Sequence, residues 1–238
     1  MIGYEMDLKL NPSDFDENRN IKASSLLHVF QEAASRHADS CGMGHDDMIK
    51  RDLIWVVTKV KFRMLSPLKP EGTYHLVTCP KPRKSVIYQR EYYIYDEKEE
   101  PIVLGSSQWC FLNCKTRRIE RVALEFEGEY STDVPFPEGF GRIHPGELAP
   151  VGSHIVTEAD LDANDHTNNC RYVDLVSHAL GRQSIPELTI TFSKETRLGD
   201  EICLFLSPMP DQTIVCGKFP NGDPIFSASV FSSDKERQ

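Results

Sequence analysis

A short polar segment ahead of an apolar stretch carries the residues of this chain that are best suited to chemistry. Asp162, Asn164 and His166 occupy every second position, and in an extended loop this spacing points three side chains to one side. A carboxylate, an amide and an imidazole would then converge near the free amides of a helix start, where the macrodipole favours a developing negative charge. This combination suits the hydrolysis of an acyl group.

The same segment has a simpler explanation, which is a polar loop that ends in a helix cap. Thr167 or Asn168 could be the N-cap, because a side-chain oxygen there accepts a hydrogen bond from a free amide of the first turn. Capping needs only one such residue and does not require Asp162, Asn164 and His166 at alternate positions. The spacing therefore favours a reactive site.

The elements that would position this segment follow from apolar periodicity. One helix is predicted over Ala23 to Cys41, before Gly42 and Gly44, and a second over Asn168 to Leu180, before Gly181. The predicted strands are Tyr4 to Leu10, Leu53 to Met64, Thr73 to Thr78, Val86 to Tyr95, Ile102 to Leu112, His154 to Thr157, Leu188 to Phe192, Glu201 to Leu206, Thr213 to Phe219 and Ile225 to Phe231.

Proline and glycine are dense between Ser131 and Gly152, which no helix or central strand tolerates. We therefore predict an N-terminal domain at 1–130, a linker at 131–150 and a C-terminal domain at 151–238. The order strand, helix, then four strands occurs on both sides of the linker. It indicates an α+β fold in which an antiparallel sheet wraps a long helix.

The composition is that of an ordinary globular protein, with 39% hydrophobic and 26% charged residues among 238. A net charge of −9 argues against nucleic acid as a partner. Apolar runs stay well short of the roughly 20 residues that cross a bilayer, and the start of the chain is unlike a signal peptide. We therefore expect a cytoplasmic protein with no membrane span.

The seven cysteines contain no C-x-x-C pair, and we expect packed thiols rather than disulfides or zinc ligands. His37, Cys41 and His45 recur every fourth residue and imitate a metal-binding face. Gly42 and Gly44 should end the helix before His45 aligns with the other two, so we predict neither a metal nor another cofactor.

Residues 162–172, Asp-Ala-Asn-Asp-His-Thr-Asn-Asn-Cys-Arg-Tyr, resemble the D-x-N-x-H-x-N-N-x-x-Y signature of the acyl-acyl carrier protein thioesterases of plant plastids and bacteria. Leu27 to Asp39 resembles that family's first hotdog helix, and Ile190 to Thr196 resembles the strand that supplies a further catalytic acid. The resemblance implies a tandem hotdog fold, in which each hotdog is a long helix wrapped by an antiparallel sheet. It places the catalytic roles on Asp162, Asn164, His166 and Glu195.

Two features depart from many plant members of that family. Thr196 stands where many of them have a cysteine, so a cysteine mechanism is hard to sustain, and Cys170 is expected to be a small packed residue of the helix. The chain also lacks a transit peptide, which predicts a bacterial enzyme of the cytoplasm.

The resemblance implies hydrolysis of fatty acyl-acyl carrier protein, which releases free fatty acid and terminates chain elongation. Glu195 and His166 would position and deprotonate a water, while Asn164 and a helix amide would stabilise the oxyanion and Asp162 would orient the amide or the imidazole. A rival scheme makes Asp162 the nucleophile and passes through an anhydride. The sequence leaves both schemes open.

The N-terminal domain lacks the catalytic loop, so we expect it to hold the acyl chain. Its candidate lining residues are Val29, Phe30, Ala33, Ala34, Ile54 and Trp55, although an ordinary core is the alternative for most of them. An acidic carrier protein would dock on local positive charge. The two densest basic clusters contain Lys81, Arg83, Lys84, Lys115, Arg117, Arg118 and Arg121.

Other functions share parts of this pattern. An acyl-CoA thioesterase would need a nucleotide site, and the sequence has no phosphate cradle, whereas a non-catalytic acyl-binding protein would not need the complete catalytic set. A hotdog dehydratase lacks support because its His-Phe-Pro-Gly signature is missing. Hotdog sheets often pair across a two-fold axis, so a homodimer is one expectation and a monomer the other. Chain-length preference cannot be derived from the sequence.

Overall fold

The computed structural model describes residues 3–128, 130–162 and 164–231. The chain divides into two compact units, Met1–Leu10 with His28–Gly139, and Asn11–Leu27 with Phe140–Gln238. The domain boundaries that we derived from the sequence stay a prediction. Each unit combines a helix with an antiparallel sheet.

The sheet of the first unit has the strand order β1-β3-β4-β5-β2, and β6 pairs with β5. A long helix, α1, and a short one, α2, accompany it. The bounds are β1 (Tyr4–Asp7), α1 (Ala23–Ser40), α2 (His45–Ile49), β2 (Leu53–Met64), β3 (His75–Pro80), β4 (Tyr88–Tyr95), β5 (Pro101–Asn113) and β6 (Ile119–Glu120).

The part of helix α1 that belongs to this unit, from His28 onward, buries its apolar side chains against this sheet, as its periodicity predicts. Phe30 is buried and stacks on Tyr92 of β4, with the ring centroids 4.4 Å apart. Gly105 of β5 makes room for the ring, since a Cβ at that position would lie 2.5 Å from it. The close approach of helix and sheet at this point therefore requires glycine.

The sheet of the second unit has the strand order β8-β11-β10-β9-β7. Its helix, α3, buries Tyr172, whose ring packs against Phe192 and Phe226 with centroid distances of 5.9 and 5.5 Å. The bounds are β7 (Ala149–Ile155), α3 (Asn169–Leu180), β8 (Glu187–Phe192), β9 (Glu201–Pro208), β10 (Gln212–Lys218) and β11 (Pro224–Phe231).

The predicted elements are present, with two corrections that have physical reasons. Strand β7 begins at Ala149, within the segment predicted as a linker. It tolerates Pro150 and Gly152 because it lies at the end of the strand order and carries a bulge between those residues. Helix α2 and strand β6 were not predicted, since five and two residues are too few for an apolar period to be visible.

The cysteines are free thiols, and Cys79, Cys110 and Cys216 are buried. The expectation of packing is wrong for Cys41, which is exposed because it follows the last turn of α1. Helix α1 ends at Ser40 and His45 begins α2, so the His37, Cys41 and His45 periodicity is broken as predicted.

Within residues 3–128, 130–162 and 164–231, no cluster of three or more histidine, cysteine or acidic side chains is arranged to hold a metal ion. In the same residues, no helix has both the length and the apolar character needed to span a membrane.

Candidate active site

The polar segment before α3 folds into a tight loop rather than the extended strand that its spacing suggests. Leu161 and Thr167 pair as an isolated antiparallel bridge, and the Asp162 amide donates to the His166 carbonyl over 2.8 Å. Asp165 has a φ of 58°, in the left-handed region where aspartate is tolerated better than most residues. The loop is therefore closed by backbone hydrogen bonds at its base.

Asp162 stabilises this loop from inside. Its Oδ1 accepts hydrogen bonds from the amides of Asn164 at 2.8 Å and His166 at 3.3 Å. Such local bonds to aspartate are a common way of holding a turn. Asn164 is exposed at the tip of the loop. The carboxylate of Asp162 thus fixes the backbone that carries both Asn164 and His166.

His166 meets Glu195 across the site. The imidazole Nε2 lies 3.4 Å from the Glu195 Oε2, and the His166 side chain is 12% exposed while that of Glu195 is 40% exposed. The carboxylate is therefore open to water and the imidazole is largely shielded from it. A carboxylate next to a shielded imidazole is an arrangement that can accept a proton from a bound water.

Arg197 is a third member of this group that sequence reasoning missed. Its Nη2 lies 3.3 Å from the same His166 Nε2, and the Arg197 side chain is exposed. The imidazole Nε2 can accept a hydrogen bond from the guanidinium or donate one to the Glu195 carboxylate. Which bond forms depends on whether this nitrogen carries the proton. A guanidinium at this position can also stabilise an anion that forms beside the imidazole.

Thr196 explains why Glu195 and Arg197 point to the same side. Thr196 is fully buried, and its Oγ1 lies 2.6 Å from Thr167 Oγ1 and 3.0 Å from Tyr172 Oη. Two hydrogen bonds from backbone amides add to these contacts. The Thr167 amide donates to the Thr196 carbonyl at 2.9 Å, and the Thr196 amide donates to Tyr172 Oη at 3.1 Å.

These bonds join the segment after β8 to the loop residue next to His166 and to helix α3. Because side chains alternate along an extended segment, the inward direction of Thr196 sends its two neighbours outward. Burial raises the pKa of Tyr172, so the phenol that holds Thr196 stays protonated. The alternation of acid, threonine and arginine was the sequence signal that could have revealed Arg197.

The N-cap of α3 is Asn168, one of the two predicted candidates. Its Oδ1 accepts from the Cys170 amide at 2.9 Å, and its own amide donates to the Asp160 carbonyl at 2.8 Å. The Cys170 amide is therefore already occupied by the cap. Burial raises the pKa of the Cys170 thiol to about 12, which keeps it protonated and unsuited to nucleophilic attack.

The six candidate acyl-binding residues fall into two groups. Ala34 and Trp55 line a cavity of about 60 Å³ in the first unit. Val29, Phe30 and Ala33 are buried in the core, and Ile54 is half-buried.

The basic residues proposed for docking differ in whether groups of the chain already bind them. Lys81 donates to the carbonyls of Ser131 and Asp133, Arg83 pairs with Glu125 at 3.0 Å, and Lys115 pairs with Asp52 at 2.7 Å. Carboxylates or carbonyls of the chain thus already bind these three cations. Lys115 is nevertheless exposed to solvent, as are four further members of the clusters: Lys84, Arg117, Arg118 and Arg121.

Two family models match the chain. Residues 2–130 match the acyl-ACP thioesterase N-terminal domain, and residues 152–218 match the acyl-ACP thioesterase C-terminal domain. The second match contains the loop with His166 and the segment with Glu195.

Curated relatives are distant in sequence. A chloroplastic acyl-[acyl-carrier-protein] hydrolase of Cuphea viscosissima is 25% identical over 82% of this chain and 52% of its own length. A chloroplastic oleoyl-acyl carrier protein thioesterase of Coriandrum sativum is 23% identical over 82% of this chain and 60% of its own length. The chain thus spans little more than half the length of these relatives.

Solved structures match over nearly the whole chain. An acyl-ACP thioesterase from Bacteroides thetaiotaomicron superposes with a TM-score of 0.84 at 17% identity, and covers 97% of both chains. The 12:0-ACP thioesterase from Umbellularia californica gives a TM-score of 0.81, also at 17% identity and 97% of both chains. The predicted α+β tandem hotdog fold is confirmed.

Proposed function

Because this chain belongs to the acyl-ACP thioesterase family, we propose that it hydrolyses the thioester of fatty acyl-acyl carrier protein and releases free fatty acid. In a cell this reaction would terminate chain elongation. The observation that carries the proposal is the contact of 3.4 Å between His166 and Glu195, which places a carboxylate open to water beside a shielded imidazole.

In the proposed mechanism Glu195 takes a proton from a water that His166 orients. The water oxygen attacks the thioester carbon, a C–O bond forms, and the carbonyl oxygen becomes an oxyanion. Collapse of this intermediate breaks the C–S bond, and the carrier-bound thiolate leaves with little need for protonation, because thiols are more acidic than amines or alcohols. The proton held by Glu195 then passes to the thiolate or to water.

The oxyanion needs donors close to His166. The sequence suggested a helix amide, but the Cys170 amide is bound to Asn168 Oδ1. We keep this role for the exposed amide side chain of Asn164, as the sequence suggested, and replace the helix amide by Arg197, which supplies positive charge 3.3 Å from the imidazole. Both groups belong to segments that the loop bonds and Thr196 hold in place.

Asp162 acts as a positioning residue in this scheme. Two amides already bind its Oδ1, and these bonds engage lone pairs that an attack on carbon would need. Single-turnover hydrolysis in oxygen-18 water tests this role. We expect the label in the fatty acid alone, and label in a peptide that contains Asp162 would establish the anhydride route instead.

The partner in this proposal is acyl carrier protein, and the first unit would bind the acyl chain through Ala34 and Trp55 of its cavity. The carrier protein would dock on the exposed members of the basic clusters. We further propose a cytoplasmic location and a homodimer, with a monomer as the alternative. We propose no role for nucleic acid, because the acidic composition disfavours an anionic partner.

The experiment that tests the function is fatty acid release by purified protein from acyl carrier protein with medium to long acyl chains. Each substrate is compared with the matching coenzyme A ester. The loss-of-function variant is His166→Ala, and His178→Ala is a matched control, because His178 is an exposed histidine of α3 outside the site.

We expect release from the carrier-bound esters by the wild type and by His178→Ala, and none by His166→Ala. Cleavage of coenzyme A esters alone would indicate an acyl-CoA thioesterase and remove the docking role of the basic clusters. Folded wild-type protein that cleaves neither ester would overturn the catalytic proposal in favour of acyl binding without hydrolysis.

A further inference from the structure

A buried arginine lines the cavity of the first unit. Arg90 of β4 is 5% exposed, and its Nη1 contacts His37 Nδ1 at 2.9 Å and Thr78 Oγ1 at 3.3 Å. The guanidinium also lies 5.1 Å from the centre of the Phe126 ring. All of these partners are neutral when His37 is unprotonated.

The side chains that contact Arg90 do not neutralise its charge. In the part of the chain that the structure describes, no carboxylate lies within ion-pair distance of this guanidinium, which stays protonated in proteins. Burial, and next the charge of Arg90, lower the pKa of His37 to about 4, so the imidazole is neutral at pH 7. Unpaired buried charges are unfavourable, and an anion at this position would remove the imbalance.

The rest of the cavity is mainly apolar and aromatic. Trp55, Tyr88, Trp109 and Phe126 contribute rings, and Ala34 is among the small residues that leave the space of about 60 Å³. This lining does not suit inorganic phosphate, which needs several donors. Lys81 also lines the cavity, but its Nζ donates to the carbonyls of Ser131 and Asp133. The charge of Arg90 beside aromatic walls fits a single carboxylate that continues into a hydrocarbon.

We propose that this cavity binds the carboxylate end of a fatty acid, with the carboxylate on Arg90 and the first methylene groups against the aromatic rings. The rest of the chain would leave through the mouth of the cavity, where Ser35 is exposed. The inference concerns anion binding and goes beyond thioester hydrolysis. It rests on the proposed function only in one consequence: a released fatty acid would rebind with its carboxylate on Arg90, would compete with the acyl chain of the substrate for this cavity and would inhibit the enzyme.

Intrinsic fluorescence tests the proposal directly. The chain contains two tryptophans, and both line this cavity. Octanoate is titrated at constant ionic strength, with 1-octanol and inorganic phosphate as matched probes. We expect a saturable fluorescence change with octanoate, binding of octanol that is about tenfold to a hundredfold weaker because it lacks the charge-assisted bond, and no saturable change with phosphate.

Variants assign the effect to Arg90. Arg90→Gln should weaken octanoate binding to the level of octanol, whereas Lys61→Gln should not, because Lys61 is a buried cation of the same unit that already pairs with Glu138. The comparison of octanoate with octanol on wild-type protein stands even if Arg90→Gln does not fold. Equal affinity for the two probes, or octanoate binding that survives in folded Arg90→Gln, would overturn the proposal.

Turnover and binding are separated by His166→Ala. This variant should bind octanoate like the wild type, since His166 does not line the cavity. Wild-type protein that hydrolyses acyl-acyl carrier protein but does not distinguish octanoate from octanol would contradict the carboxylate site alone. Protein that binds octanoate selectively but cleaves no thioester would contradict the proposed function alone.

Discussion

Each unit of this protein places an arginine against a histidine, and the two pairs differ in what surrounds them. In the first unit Arg90 Nη1 lies 2.9 Å from His37 Nδ1, and both side chains are buried. In the second unit Arg197 Nη2 lies 3.3 Å from His166 Nε2, at the surface, with the Glu195 carboxylate 3.4 Å from the same nitrogen.

The difference shows that the neighbouring side chains determine the chemical role of each histidine. Beside His166 the carboxylate can receive a proton, and water can reach it, so the group is suited to general base chemistry. The buried pair has neutral partners, and its imidazole accepts a hydrogen bond rather than a proton from solvent. The first pair is therefore suited to binding an anion and the second to activating a water.

Removal of the Glu195 carboxylate, which lies beside the second pair, should have the largest effect on catalysis. We expect Glu195→Gln to lower kcat about 10²- to 10⁴-fold, the usual contribution of a general base, because the amide cannot take a proton from water. The measurement is steady-state hydrolysis of acyl-acyl carrier protein. Glu158→Gln, at an exposed carboxylate outside the site, is the matched control. A Glu195→Gln enzyme with wild-type kcat would show that Glu195 is a solvated residue.

The buried pair should make stability depend on pH. The folded protein keeps His37 neutral until about pH 4, whereas a histidine of the unfolded chain binds a proton near pH 6.5. Acid therefore favours unfolding, and the free energy of unfolding should fall by about 3 kcal/mol as the pH drops through this window.

Urea unfolding at several pH values measures this loss. His37→Gln should remove most of the His37 contribution, while His144→Gln, at an exposed histidine, should keep the wild-type slope. Identical pH slopes for the wild type and His37→Gln would mean that His37 is not held neutral by the fold.

The two long helices and most strands could be predicted because their apolar periodicity survives in the structure. Helix α1 and strand β2 start at the predicted residues, Ala23 and Leu53. The start of β7 could not be predicted, because Pro150 is acceptable only at a sheet edge, and edge position depends on tertiary pairing. Local sequence specifies element type, whereas it does not specify which strand is outermost.

The candidate site shows the same limit. Motif and resemblance placed His166 and Glu195 in one site, and the structure brings them within contact distance. Neither indicated Arg197, whose position depends on how Thr196 is buried against Tyr172. The arginine that lines the cavity of the first unit was also missed, since Arg90 stands in the polar run Gln89-Arg90-Glu91 of β4, and such a run gives no sign of burial in the sequence. Contacts that depend on strand-to-helix packing leave little local signal.

The threonine that holds Glu195 outward can be tested by an isosteric change. Thr196→Val keeps the shape but removes the buried hydroxyl that Thr167 Oγ1 and Tyr172 Oη contact, while Tyr172 Oη still accepts from the backbone amide of residue 196. We expect a loss of about 1–3 kcal/mol in the free energy of unfolding, together with a lower kcat because Glu195 loses its fixed direction. Thr196→Ser, which keeps the hydroxyl, should retain most of both properties. If Thr196→Val matched the wild type in stability and kcat, the hydroxyl would have no positioning role.

Substitution of Arg197 should have the smallest effect on kcat. The loss should be smaller than that for Glu195, and it should depend on the positive charge of the side chain. The guanidinium is exposed, so solvent screens its action on an oxyanion, and we expect Arg197→Gln to lower kcat only about tenfold, below the usual loss for a fully enclosed donor. Arg197→Lys keeps the charge and should recover part of this loss. Substrate KM should change little in either variant, since the charge acts on the transition state. A rise in KM with unchanged kcat would instead make Arg197 a residue that binds the carrier protein, and the second pair would then be a catalytic dyad of His166 and Glu195 alone.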